Sequence, residues 1–109
     1  MRMNHASLIE VDMSNSNLTR ADMNYSVMIR GNFYAAKMTG MNLNHASLNE
    51  AILIEADLWI SHINYANFTA ADLKFTEFAG ANHVGAIFTN TYWFQTMWID
   101  SFRYDTNQG

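Results

Sequence analysis

The chain contains no cysteine and no proline among its 109 residues. Without cysteine there is neither a disulfide framework nor a thiolate metal site. Without proline every backbone N–H is available as a donor, which suits a fold whose edges are satisfied by neighbouring backbone. Charged residues make up only 15% and form no run, so there is no acidic or basic tail. Six Lys and Arg against ten Asp and Glu leave a net charge of −4, which argues against non-specific nucleic-acid binding. No apolar run approaches the length of a membrane span, and no basic-then-apolar leader opens the chain. The expectation is one domain, residues 1–109, in the cytoplasm.

What the chain does have is a period of five. From Met3 the series runs Leu8, Met13, Leu18, Met23, Met28, Phe33, Met38, Leu43, Leu48, Leu53, Leu58, Ile63, Phe68, Leu73 and Phe78. After His83 it resumes with Phe88, Trp93 and Trp98 and ends at Arg103. Of 21 such centres 19 are apolar, and 18 of the 21 residues two places earlier are Ala, Ser, Gly or Thr. A period of five fits neither the 3.6 of a helix nor the 2.0 of a strand. It indicates a solenoid in which each pentad forms one side of a coil, with the large centre and the small residue both facing the lumen.

Several pentads share a tighter pattern: Ala21-Asp22-Met23, Ala56-Asp57-Leu58, Ala66-Asn67-Phe68 and Ala71-Asp72-Leu73. The middle position is Asp or Asn in 9 of 21 pentads. This resembles the pentapeptide-repeat family, and the resemblance covers almost the whole chain. It implies an all-β fold, a right-handed four-sided parallel β-helix with four pentads per coil. Here that is about five coils of 20 residues, roughly 25 Å tall.

A second period supports four sides independently. At a step of 20, Met3-Asn4-His5, Met23-Asn24-Tyr25, Leu43-Asn44-His45 and Ile63-Asn64-Tyr65 align. The Asn column is expected to be structural, its amides bonded to one another up the axis. His5 and His45 lie two coils apart, about 9.6 Å, too far to share one zinc ion at ligand distances of roughly 2 Å. The His5-Tyr25-His45-Tyr65 column therefore reads as a stack of flat side chains, with no metal site and no cofactor. His62 has no carboxylate and nucleophile around it, and His83 fills a centre slot where burial is expected. No phosphate loop, nucleophile elbow or paired-carboxylate cleft is present, and a filled lumen offers no substrate pocket. No catalytic residue is assigned and no enzyme activity is expected.

The carboxylates are spread around the coil. Glu10 and Glu50 flank Arg30 in one column, Asp12 and Asp72 share another, and Asp57 and Glu77 stack above Lys37 with Glu55 nearby. The resemblance brings one alternative function: some family members imitate duplex DNA and inhibit or protect a type II topoisomerase, DNA gyrase. Those rods are more acidic, and several carry loops that interrupt the coils. This chain has mixed charge columns and no interruption.

The last coil differs from the rest. Seven of the 15 aromatics fall between Phe88 and Tyr104, and the outward positions, mostly polar in earlier coils, become Ile87, Tyr92, Phe94, Met97, Ile99, Phe102 and Tyr104. Residues 83–104 are read as an aromatic C-terminal cap or interface coil, with Tyr92, Phe94, Met97, Trp98, Ile99, Phe102 and Tyr104 as interface residues. The resemblance points the same way, since family members often dimerise through such a coil. A homodimer is expected, with an unknown protein as a further partner, no direct nucleic-acid binding and no membrane. Ile54, Trp59 and Ile60 form a side-wall patch, notched where Ala79 and Gly80 follow the bulky pair. Met1 already occupies a repeat slot, so the edge of the first coil is met by a second chain, covered by another domain of a longer polypeptide, or frayed, and the sequence does not choose among these. The function expected is that of a rigid protein-binding or scaffold module.

Overall fold

Every fifth residue from 5 to 95 has its backbone in the left-handed region, with φ between 50° and 75°. The structure, a computed structural model, describes residues 2–97 and the backbone of 103–104. The left-handed residue stands third in a four-residue turn, as in a type II turn. The centre of one pentad opens the turn and the small residue of the next closes it. Ala36, for example, donates its N–H to the carbonyl of Phe33 at 3.0 Å. Between turns only three residues remain extended.

Two of those extended residues and the left-handed residue of the turn carry the links between coils. The N–H groups of Phe33 and Ala35 donate to the carbonyls of Ile52 and Ile54, at 2.8 and 2.9 Å, while Asn32 donates back to Val11 at 2.8 Å. The pattern repeats along the rod and yields 16 parallel bridges among the described residues, each between residues 20 apart. They form four columns, starting at Arg2, Ser7, Asp12 and Asn17. Each rung is a single-residue bridge, because a turn every five residues leaves no room for a longer strand.

The lumen fills as the five-residue period requires. Met23, Met28, Phe33, Met38, Leu43, Leu48, Leu53, Leu58, Ile63, Phe68, Leu73 and Phe78 are fully buried. Met3, Leu8 and Met13 are only partly buried, because their coil has a neighbour on one side alone. Small residues line most of the remaining inner positions, with Met41 a fully buried exception, and the hydroxyls among them bond to backbone carbonyls. Ser26 and Ser61 donate to the carbonyls of Met23 and Leu58, at 2.6 and 2.7 Å, and Thr76 donates to Leu53 at 2.7 Å.

The Asp or Asn of the pentad has an equally specific role. Its Oδ1 accepts the N–H two residues on, as in Asp57 to Trp59 at 3.0 Å and Asn32 to Tyr34 at 3.0 Å. This Asx turn supplies an acceptor for a corner N–H that no backbone carbonyl of a neighbouring coil reaches. Asp12 receives both the N–H and the hydroxyl of Ser14, at 3.0 and 2.7 Å, and these two bonds hold its carboxyl below the usual range.

The five-residue register does not run to Arg103 as a parallel coil. Among the described residues the last parallel bridge of the repeat is at Met97. There β1, Thr96–Met97, pairs antiparallel with β2, Arg103–Tyr104, matching Thr96 with Tyr104 and Met97 with Arg103. Arg103 therefore pairs back on Met97 and does not stack on His83. An arginine in a lumen slot would bury an unpaired charge. Turning the chain back avoids that.

Candidate functional site

Two apolar surfaces stand out against otherwise polar walls. The first is the last coil. Val84 is 64% exposed, Tyr92 54%, Ile87 42% and Phe94 41%. Their predecessors one coil earlier are Asn64, Asp72, Asn67 and Lys74. Met97 is partly buried at the end of the parallel ladder. Tyr104 lies in β2, paired through its backbone with Thr96. Trp98, Ile99 and Phe102 lie outside the described residues. Val84 was not singled out from the sequence, although it is where the Asn column breaks.

His83 departs from its expected burial. It is exposed, in a centre slot, beside Val84 and Gly85 in an open cavity of about 580 Å³.

The second surface is the side wall. Trp59 and Ile60 protrude from one corner, both more than half exposed, and Ile54 is partly buried at the next corner. Above Ile60 stands Gly80, at φ +75°, where a Cβ would come within 3.0 Å of the Ile60 Cγ2. Between the two corners, Asp57 and Glu77 occupy one column, and with Trp59 they line a cleft of about 240 Å³. Phe75 and Phe94 meet edge to face on the far rim, with centroids 5.5 Å apart.

The His/Tyr column is a continuous stack. Ring centroids are 5.0, 4.5 and 5.0 Å apart from His5 through Tyr25 and His45 to Tyr65, and the planes lie within 15° of parallel. That spacing is the distance between strands, so the coils themselves set the stacking. The histidine rings are committed to their neighbours. Among the described residues no group of His, Asp and Glu has the geometry to hold a metal ion.

The Asn column does not form the expected amide-to-amide ladder. Asn44 Oδ1 accepts the backbone N–H of Asn64 at 2.9 Å, and Asn64 Oδ1 accepts that of Val84 at 2.8 Å. In the earlier coils an Asx residue reaches the corresponding N–H first: Asp22 takes that of Asn24, and Asn42 that of Asn44. At residue 62 the repeat offers His instead, and the Asn82 amide turns to His62 Nδ1 at 2.9 Å. The column Asn is thus a second acceptor for a corner N–H that lacks an Asx partner. Asn24 Oδ1, whose target is already taken by Asn42, is buried and unpartnered.

Charges elsewhere are interleaved. Arg30 lies 3.0 Å from Glu10 and 3.8 Å from Glu50, and Lys74 lies 3.1 Å from Asp72. These pairs are largely exposed and contribute little individually. Among the described residues no helix is long and apolar enough to cross a membrane.

Comparison with known proteins adds a family match. The family model of pentapeptide repeats matches the chain in eight copies, over residues 2–33, 32–59 and 63–92. Among solved structures, the chain is similar to HetL of the cyanobacterium Nostoc sp. PCC 7120, a pentapeptide-repeat protein involved in heterocyst differentiation regulation. Identity is 18% and the TM-score 0.47, over 94% of this chain, which spans 64% of the length of that one. Rfr23 from the cyanobacterium Cyanothece 51142 is 17% identical with a TM-score of 0.42, covering 84% of this chain and 86% of its own. QnrB1, a plasmid-mediated fluoroquinolone resistance protein, is 15% identical with a TM-score of 0.26, covering 95% of this chain and 70% of its own. No curated protein matches the chain.

Proposed function

The chain belongs to the pentapeptide-repeat family, and from that premise we propose that it is a rigid protein-binding scaffold which self-associates through its C-terminal coil. In this reading the rod is a right-handed four-sided β-helix of about five coils, acting in the cytoplasm. Pentapeptide-repeat proteins are in general structural or interaction modules without catalysis.

One observation carries the reading: the exchange of polar for apolar residues on the outer face of the last coil. Val84, Ile87, Tyr92 and Phe94 follow Asn64, Asn67, Asp72 and Lys74 at a step of 20. Nothing in the coil-to-coil bonding requires that change, since the bridges are backbone links. An apolar outer face costs on the order of 25 cal/mol for each Å² left in water. A two-fold contact between copies removes that cost and closes the assembly.

The test is light scattering on the full chain at tens of micromolar. A dimer is expected. Tyr92→Glu together with Phe94→Glu should yield a monomer with an unchanged far-ultraviolet spectrum, since both side chains lie outside the lumen. A monomeric parent chain, or a charged variant that stays dimeric, would refute the interface.

A further inference from the structure

We propose that a second copy of this chain packs antiparallel along one side and corner of the rod, from Tyr34 to Phe94. Phe94 of each copy then meets the Tyr34 corner of the other. This rests on the reading of the rod as a self-associating module and names the face, the partner and its register.

The period of 20 builds the strip. One flat side stacks Asn32, Ile52, Asp72 and Tyr92. The corner beside it presents Tyr34, Ile54, Lys74 and Phe94 at the same step, with Glu55 and Phe75 next in line. Every coil from the one that opens at Asp22 to the one that opens at Asn82 therefore contributes a large apolar side chain. Tyr34, Ile52, Phe75, Tyr92 and Phe94 are between 38% and 54% exposed. They are five of the twelve exposed large apolar residues described, gathered on one side and one corner of the rod. Phe75 and Phe94 touch edge to face across neighbouring coils, so the strip is continuous with the apolar face of the last coil.

Size argues for a contact along the rod. A stable interface takes about 800 Å² from each partner. One coil, about 4.8 Å tall, does not supply that. Ile87 and Tyr92 of the last coil also face different sides, so a single flat contact does not cover both. A copy lying along the strip covers Tyr92 and Phe94 together with the rungs below them, over a height of about 14 Å.

Charge sets the direction. A two-fold axis across the rod, midway between the rungs of Ile54 and Lys74, places Tyr34 opposite Phe94 and Glu55 opposite Lys74. Glu55 forms no ion pair among the described residues, and Lys74 bonds Asp72 at 3.1 Å. The antiparallel contact gives Glu55 a cation and Lys74 a second carboxylate, and the symmetry does so twice. A parallel two-fold sets Glu55 against Glu55 and Lys74 against Lys74, which is repulsive.

The chain has no cysteine, so engineered ones report the register. Tyr34→Cys protein mixed with Phe94→Cys protein and oxidised glutathione should give a heterodimer linked through a disulfide between positions 34 and 94, read by mass spectrometry. Phe94→Cys protein alone should give little linked dimer. By light scattering, Glu55→Lys should weaken the dimer by about ten-fold, and Lys74→Glu added to it should restore the dimer. Ile9→Glu, on a corner away from the strip, should leave it unchanged. A preferred link between two copies of position 94, or a dimer indifferent to Glu55→Lys, would overturn the antiparallel packing and leave the last coil as the interface. A monomeric parent chain at tens of micromolar is the separate failure of the self-association reading, and takes this proposal with it.

Discussion

Gly31 occupies a small inner position where the repeat most often has alanine. A Cβ built there would lie 2.7 Å from Cε2 of Phe33 and 3.1 Å from the carbonyl of Met28. The Phe33 ring, fully buried, folds back over its own pentad and takes the space a methyl group would need. Gly31→Ala should therefore destabilise by about 1–3 kcal/mol, although it restores the commonest residue of the repeat. Phe33→Leu in the same chain should recover most of the loss, because leucine does not reach back so far. Urea melts of the two single variants and the double variant measure the coupling. Additive losses would mean that the ring is not the obstacle. At this scale the sequence was legible in burial and opaque in backbone. The period showed which residues face the lumen. It did not show that, among the described residues, 16 non-glycine corners, Ile60, Phe75 and Arg30 included, adopt positive φ. Those residue types carry no left-handed signature; the corner is imposed by its bonds, such as Tyr25 N–H to Asn44 O at 2.9 Å.

The pentad, as an element, must provide an acceptor for the corner N–H, and the chain uses two devices for it. One is the Asx turn within the pentad and the other is the column Asn from the coil before. Where they compete, one becomes redundant. Asn44→Ala should cost about 0.5–1.5 kcal/mol, since it orphans the part-buried N–H of Asn64. Asn24→Ala should change stability by less than about 0.5 kcal/mol, because its Oδ1 has no donor to lose. Chemical denaturation of the two variants side by side checks the difference, and equal losses would sink the account. The recurrence of Asn4, Asn24, Asn44 and Asn64 was plain in the sequence, but the partner of each amide was not. That choice depends on what stands two residues before, Asp22, Asn42 or His62, and on reach that only coordinates supply. The stack of His5, Tyr25, His45 and Tyr65 was legible because strand spacing alone dictates it.

For the molecule as a whole, mixed charge columns argue against imitation of DNA. Arg30 between Glu10 and Glu50, and Lys74 beside Asp72, break any continuous negative stripe. Supercoiling by DNA gyrase should be unaffected by this protein at micromolar concentration, in a standard assay at low salt. Strong inhibition that fades as salt rises would require a continuous acidic face. The repeat architecture was readable from end to end until Met97, because every pentad repeats the same bonding problem. The turn back onto β1 was not, since only a buried charge at Arg103 argued against one more coil. The bonding between coils has an electrical consequence as well. In each pentad two peptide groups point their N–H toward the C-terminal end and one points the other way, as Phe33, Ala35 and Asn32 show. One peptide dipole of about 3.5 D per pentad is left unbalanced. With four pentads per rise of about 4.8 Å, the moment per ångström of axis is comparable to that of an α-helix. Its sense is opposite: the rod is negative at its N-terminal end and positive at its C-terminal end, so added coils lengthen a field that draws anions to the end bearing the aromatic coil.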